Sequence, residues 1–182
     1  EAHGTGVFGR NGRGVVEHFN LNNEIDIVMG TLSKAIGSLG GYVTGDNDLI
    51  NYLRNKARSF MYTTALPPAV CAASIAAINL IKRDPSIRES LWHNVRFIND
   101  NLKSLDFNVI SSESPIIPIL IGDAQKAVDM SKSLYERGIL IPAIRPPTVP
   151  VNSSRLRMTV MSTHTKEDLE ILLEVLSEVQ NL

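Results

Sequence analysis

GTLSKAIGSLGG, residues Gly30–Gly41, follows the apolar run IDIVM and sets one lysine, Lys34, among glycines and other small residues. A lysine ammonium is strongly hydrated and normally sits where water reaches it. The residues around Lys34 instead invite close approach of backbone. IDIVMG (25–30) is a β-branched run ending in glycine and reads as a buried strand, and GGYVTG (40–45) reads as another. The lysine therefore rides on a tight connection between two strands. Two readings stand at this point: a solvated lysine in a flexible loop, or an amine desolvated so that its neutral form can make a Schiff base.

Downstream of the second strand, Asp46 is placed to cap a helix running to about Lys56, and SFMYTT (59–64) is strand-like. Pro67 and Pro68 open a long helix to Lys82, which RDP (83–85) breaks. The pattern then alternates. A helix from about Ser86 to Leu105 leads to FNVI, a strand IIPILI (116–121), a helix from Asp123 to Arg137 ended by Gly138, and a strand GILIPAI. A proline-rich loop, a strand RLRMTV and a helix from Thr165 to Val179 close the chain, with Thr165 and Asp168 spaced as a capping box. This predicts an α/β fold with helices on one face of the sheet and a domain boundary near Lys82.

Composition narrows the class. The 182 residues are 43% hydrophobic and 20% charged, enough to bury a core. Eighteen basic side chains face nineteen acidic ones, for a net charge of -1. No run of one sign suggests a nucleic-acid or anionic-membrane partner. The single cysteine, Cys71, lies in an apolar run, reads as a small buried hydrophobe and suits a reducing cytoplasm. The opening residues lack the charged-then-apolar pattern of a secretory signal, and no apolar run is long enough to span a bilayer. Ten of the twelve glycines fall within the first 45 residues, and the chain opens abruptly on EAHGTG, without Met. The expectation is that this is the C-terminal part of a longer protein.

Gly4, Gly6 and Gly9 spell the dinucleotide-binding G-x-G-x-x-G, but RNGRG after them supplies turns where a phosphate-facing helix is needed. No nucleotide site is expected there. In RLRMTV, alternation puts Arg155, Arg157 and Thr159 on one strand face and Leu156, Met158 and Val160 on the other. A guanidinium presents the planar fork that holds a carboxylate, although a solvated strand face has the same pattern. In RPPTVP, three prolines stiffen the loop that displays Arg145 and Thr148. His18, His93 and His164 have no partners at metal spacing and read as structural; no metal site is expected.

Four segments in order, EAHGTGVFGRNGRG, DIVMGTLSKAIGSLGGYVTG, RSFMYTTALPPA, and PAIRPPTVP with SRLRMTV, resemble the signature segments of the α-oxoamine synthases. These are pyridoxal 5'-phosphate (PLP) enzymes with the aspartate-aminotransferase-like fold, fold type I. The resemblance covers essentially the whole chain but about the C-terminal half of the family's length. It implies that residues 1–82 end the PLP-binding large domain and that 83–182 form the small C-terminal α/β domain.

The resemblance also implies roles. Lys34 matches the lysine that bonds the cofactor and then acts as acid and base at the substrate α-carbon, and His3 matches the histidine on the cofactor's phenolic oxygen. Thr31 matches a phosphate-binding hydroxyl, with Ser33 beside it, while Thr63 and Thr64 match residues reaching the phosphate of the partner subunit. Arg157 matches the arginine on the amino-acid carboxylate, Thr148 contacts substrate, and Arg145 serves the acyl side. The family branch that AIRPPTVP most resembles joins L-alanine to a pimeloyl thioester, carried by CoA or a carrier protein, in biotin biosynthesis. The alternatives are a glycine acetyltransferase using acetyl-CoA, or an inactive fragment of such an enzyme. The family enzymes imply a cytoplasmic homodimer with shared active sites. Their pyridine-binding aspartate and cofactor-stacking residue match nothing in this chain, so the isolated residues are expected to be inactive and to bind cofactor poorly.

Overall fold

The computed structural model describes residues 1–110 and 113–180. It divides into two compact units, Glu1–Arg88 and Glu89–Leu182.

In the first unit a glycine-rich loop leads to the single turn α1 (Val15–His18), then to β1 (Val28–Thr31) and β2 (Gly41–Thr44). These strands pair antiparallel with Gly30 opposite Tyr42. The helix α2 (Asn47–Lys56) begins where Asp46 accepts the Leu49 N–H at 2.7 Å, the expected N-cap. The short helix α3 (Arg58–Met61) and the long helix α4 (Pro68–Arg83) follow.

Three expectations change here. Residues 59–64 do not form a strand: the chain winds through α3, and the Tyr62 N–H donates to the Arg58 carbonyl at 3.0 Å. Aromatic and β-branched residues favour a strand only where a neighbouring strand accepts the ladder, and the sheet of this unit consists of β1 and β2. The buried strand expected at 25–30 is β1, shifted toward Thr31, and Ile27 and Met29 are 55% and 64% exposed. A two-stranded hairpin lacks the second layer that would cover such side chains. Cys71, expected inside, is exposed, because the buried residue of α4 is Ser74.

The second unit is built on a three-stranded antiparallel sheet. The helix α5 (Ser86–Ser104) precedes β3 (Ile116–Gly122), α6 (Ala124–Glu136), β4 (Ala143–Ile144), β5 (Ser154–Thr159) and α7 (Lys166–Val179). The strand order is β3-β5-β4, so β5 is central. Ile117 pairs with Met158 and Ile119 with Leu156. These inward side chains join Ile98 and Leu102 of α5, Leu134 of α6 and Leu176 of α7 in one apolar cluster. Helices and core thus share one sheet face, and period-2 alternation leaves Arg155 and Arg157 half-buried on the other. Asp123 caps α6 through the Lys126 N–H, and Thr165 and Asp168 form the predicted capping box of α7. Two expected strands are shorter than read. FNVI contributes a single bridge, Val109 to Ile119, and GILIPAI contributes β4, because the Ile139 N–H is spent on the Leu134 carbonyl at the end of α6 and bonding to β5 starts only at the Pro142 carbonyl.

Candidate active site

Lys34 sits in a loop pinched at its base. The Leu32 N–H donates to the Gly40 carbonyl at 2.9 Å and the Ser38 N–H to the Leu32 carbonyl at 2.7 Å. The Gly37 N–H closes a turn onto the Lys34 carbonyl at 2.8 Å. Of the residues around the lysine, Ile36 points inward and is 6% exposed, anchoring the tip. Ser33, Lys34 and Ala35 are exposed. Of the two readings left open for Lys34, these residues give the exposed one, since small flanking side chains cannot cover a long one. Among the described residues its ammonium has no hydrogen-bond or ion-pair partner.

Thr31, at the end of β1, donates its hydroxyl to the Gly40 carbonyl at 3.1 Å and lies 2.7 Å from the Ser33 hydroxyl. The Ser33 N–H donates back to the Thr31 oxygen at 3.2 Å. Two hydroxyls are thus gathered three residues and one residue before the lysine by a side-chain turn that Thr and Ser favour.

The His3 segment is held against the same loop at two points. The Thr5 hydroxyl bonds the Tyr42 hydroxyl of β2. The Tyr42 ring lies against Gly30, where an added Cβ would come within 2.4 Å of it, so only glycine fits there. Gly6 has a φ of +79°, and a Cβ there would sit 3.0 Å from the Ala35 Cβ, beside Lys34. The glycines expected to be a decoy for nucleotide binding therefore bring the first segment and the lysine loop together, and the helix that follows them is only the four residues of α1. Glu17 gathers the RNGRG turns: Asn11 donates to it from its side chain at 2.6 Å and Arg13 from its N–H at 3.0 Å. Burial opposes ionisation of Glu17, but the hydrogen bonds from Arg13 and Asn11 outweigh it and hold the carboxyl below its ordinary range. His18 packs edge-on to Phe8 and Phe19.

Thr63 and Thr64 are exposed after α3, and the nearby Leu66 side chain lies against Gly40 at the loop base. The second unit carries the remaining candidates. Arg157 stands on β5 opposite Pro118, with its N–H given to the Pro142 carbonyl at 2.9 Å and its guanidinium without a partner among the described residues. Arg155, by contrast, donates from Nε to the Ser153 carbonyl at 2.9 Å. Arg145 and Thr148 are exposed on a turn closed by the Thr148 N–H on the Arg145 carbonyl at 3.0 Å, around a cis Pro146–Pro147 bond. His164 accepts the Met161 N–H, and Asn94 donates to the Met161 and His164 carbonyls, so this histidine shapes a turn. Among the described residues no group of His, Cys, Asp and Glu could hold a metal, and no helix is long and apolar enough to cross a membrane.

Sequence reasoning missed Thr5, Ser38, Tyr42 and Ser74. The one legible signal was Ser74, a hydroxyl inside AVCAASIAAINLI, which Ser74 and Asn79 alone interrupt.

The donor set around Lys34 is what PLP requires: an accessible amine for its carbonyl, and hydroxyls with exposed backbone turns for its phosphate. A family model of aminotransferase class I and II matches residues 1–176. The chain is 47% identical over 179 residues to the 8-amino-7-oxononanoate synthase of Thermoanaerobacter pseudethanolicus, covering 98% of this chain and 45% of that protein. It is 41% identical over 182 residues to the serine palmitoyltransferase of Bacteriovorax stolpii, covering 100% of this chain and 43% of that one. A solved serine palmitoyltransferase variant from S. paucimobilis, with a bound PLP–myriocin aldimine, superposes with a TM-score of 0.94 at 31% identity, covering 100% of this chain and 46% of that one. The chain spans slightly less than half the length of these relatives. Its fold is the corresponding α/β part of a fold type I PLP enzyme.

Proposed function

Because this chain belongs to the aminotransferase class I and II family, on its α-oxoamine synthase branch, we propose that it is part of an enzyme of biotin biosynthesis. That enzyme condenses L-alanine with a pimeloyl thioester, on CoA or a carrier protein, to give 8-amino-7-oxononanoate, carbon dioxide and the free thiol. The observation that carries this reading is the amine of Lys34, unpartnered among the described residues, on a pinched loop with the Thr31 and Ser33 hydroxyls gathered beside it. The 47% identity to an 8-amino-7-oxononanoate synthase supports the choice of substrates.

Residues 1–82 form the end of the PLP-binding large domain and 83–182 the small domain. PLP, when bound, supplies a carbonyl for an amine and an electron-withdrawing ring next to the substrate α-carbon. Lys34 holds the cofactor covalently through its amine. With its amine beside the substrate α-carbon, Lys34 would be the base that removes the α-proton and the acid that returns one to the product. Thr31 and Ser33 hold the phosphate by hydroxyl donation, and His3 hydrogen-bonds the phenolic oxygen. Arg157 holds the carboxylate through its planar fork until that group leaves as carbon dioxide. Thr148 and Arg145, on a turn with little entropy to lose, position substrate and acyl donor. The active enzyme is a cytoplasmic homodimer, with Thr63 and Thr64 of each subunit reaching the phosphate in the other.

The test is to offer the full-length protein L-alanine, L-serine or glycine with pimeloyl, palmitoyl or acetyl thioesters and to measure thiol release. L-alanine with a pimeloyl thioester is expected to react fastest. Preference for L-serine with a palmitoyl thioester, the reading that the Bacteriovorax relative favours, or for glycine with acetyl-CoA, overturns the proposal.

A further inference from the structure

We propose that Ser74 is a positioning residue for Lys34, acting through Ser38. The inference rests on the reading in which Lys34 binds PLP. Ser74 is the buried residue of α4, 6% exposed in an apolar helix where alanine would pack as well and favour the helix more. A buried hydroxyl is costly unless it is hydrogen-bonded. The Ser74 hydroxyl lies 2.9 Å from the Ser38 oxygen and 2.9 Å from the Val70 carbonyl, and the Ser38 hydroxyl lies 3.1 Å from that same carbonyl. Each hydroxyl has one proton. Donation from Ser74 to Ser38 and from Ser38 to Val70 leaves both satisfied, forming a relay from helix to loop.

Ser38 is also a structural member of the lysine loop. Its N–H on the Leu32 carbonyl, at 2.7 Å, closes the loop base, and Lys34 sits inside the segment so closed. The main chain of Ser38 shapes the loop, while its side chain ties that shape to a four-turn helix. Loss of the Ser74 hydroxyl leaves the Ser38–Val70 bond as the remaining side-chain tie of the loop to α4 and lets the Ser38 side chain shift on the helix without unmaking either element, so its effect is read at the lysine more than in stability.

The experiment uses the full-length PLP-loaded enzyme with Ser74→Ala, Ser74→Thr, Ser38→Ala and the double alanine variant. The readouts are the pH midpoint of the visible absorbance of the bound cofactor, the fraction of cofactor that borohydride fixes to Lys34, and kcat and KM separately. Ser74→Ala and Ser38→Ala are each expected to shift the midpoint and lower kcat by about 3- to 10-fold, the scale of one hydrogen bond, with KM little changed. The double variant is expected to be no worse than either single one, and Ser74→Thr, which keeps the hydroxyl, to recover the wild-type midpoint. If Ser74→Ala does not fold, Ser38→Ala carries the same comparison from the loop side. An unchanged midpoint in Ser38→Ala, or additive losses in the double variant, overturns the inference alone. A pyridoxyl adduct on another lysine of the wild-type protein removes both the inference and the reading beneath it.

Discussion

Replacing Gly30 by alanine tests how the β1–β2 hairpin presents Thr31. A Cβ at residue 30 would lie 2.4 Å from the Tyr42 ring, so the ring must swing away and its bond to Thr5 must break. Overpacking of this kind costs about 1–3 kcal/mol, and the lost hydrogen bond adds about 1 kcal/mol. Against this, alanine relieves the entropic penalty of a strand glycine by roughly 0.5–1 kcal/mol. The net loss is about 2 kcal/mol, which speeds amide exchange through local opening by about 30-fold. Hydrogen exchange of the peptides covering β1 and β2 measures it directly. The decisive control is Gly30→Ala in a Tyr42→Ala background, where the clash has no partner and the substitution is expected to be neutral or slightly stabilising. An equal cost in both backgrounds would refute the reasoning, because it would place the penalty in the backbone and not in the ring.

Two further outcomes follow from the second unit. Arg157→Ala is expected to lower kcat/KM for the amino acid by about 10- to 100-fold, the scale of a charge-assisted fork, and Arg157→Lys to recover only part of it. Steady-state kinetics of the full-length enzyme checks this, and equal activity of the lysine variant and wild type would exclude a bidentate role. Asp168 is held below its ordinary pKa of 3.8 by the Thr165 N–H first and the Thr165 hydroxyl second. A carboxyl lowered on folding stabilises the folded state above its unfolded pKa and loses that contribution as pH falls through the folded value. Asp168→Asn is therefore expected to be less stable than wild type at pH 7, with the gap closing below 3.8, followed by Trp92 fluorescence in urea. A gap that persists in acid would show that the carboxylate charge is not what the cap uses.

Features governed by neighbours in the chain were legible from sequence alone. Asp46 and the Thr165–Asp168 pair cap their helices as read, and Asp123 caps the helix expected to begin there, because a cap bonds an N–H only three residues away. The two faces of β5 were also legible, since strand period is a local property. So were the motif order that identifies the family and the lysine it centres on.

Only the tertiary structure decided what depends on residues far apart. Residues 59–64 have the composition of a strand, but strand pairing needs a partner edge, and the segment turns into α3. Cys71 read as buried from the apolar residues around it, and Lys34 could be read either way, yet both are exposed, because burial depends on what packs above and no local pattern encodes that. The same holds for Tyr42 over Gly30, Gly6 against Ala35 and Ser74 on Ser38. Each joins positions 12 to 36 residues apart, across distances in the chain that helical and strand periodicities do not span.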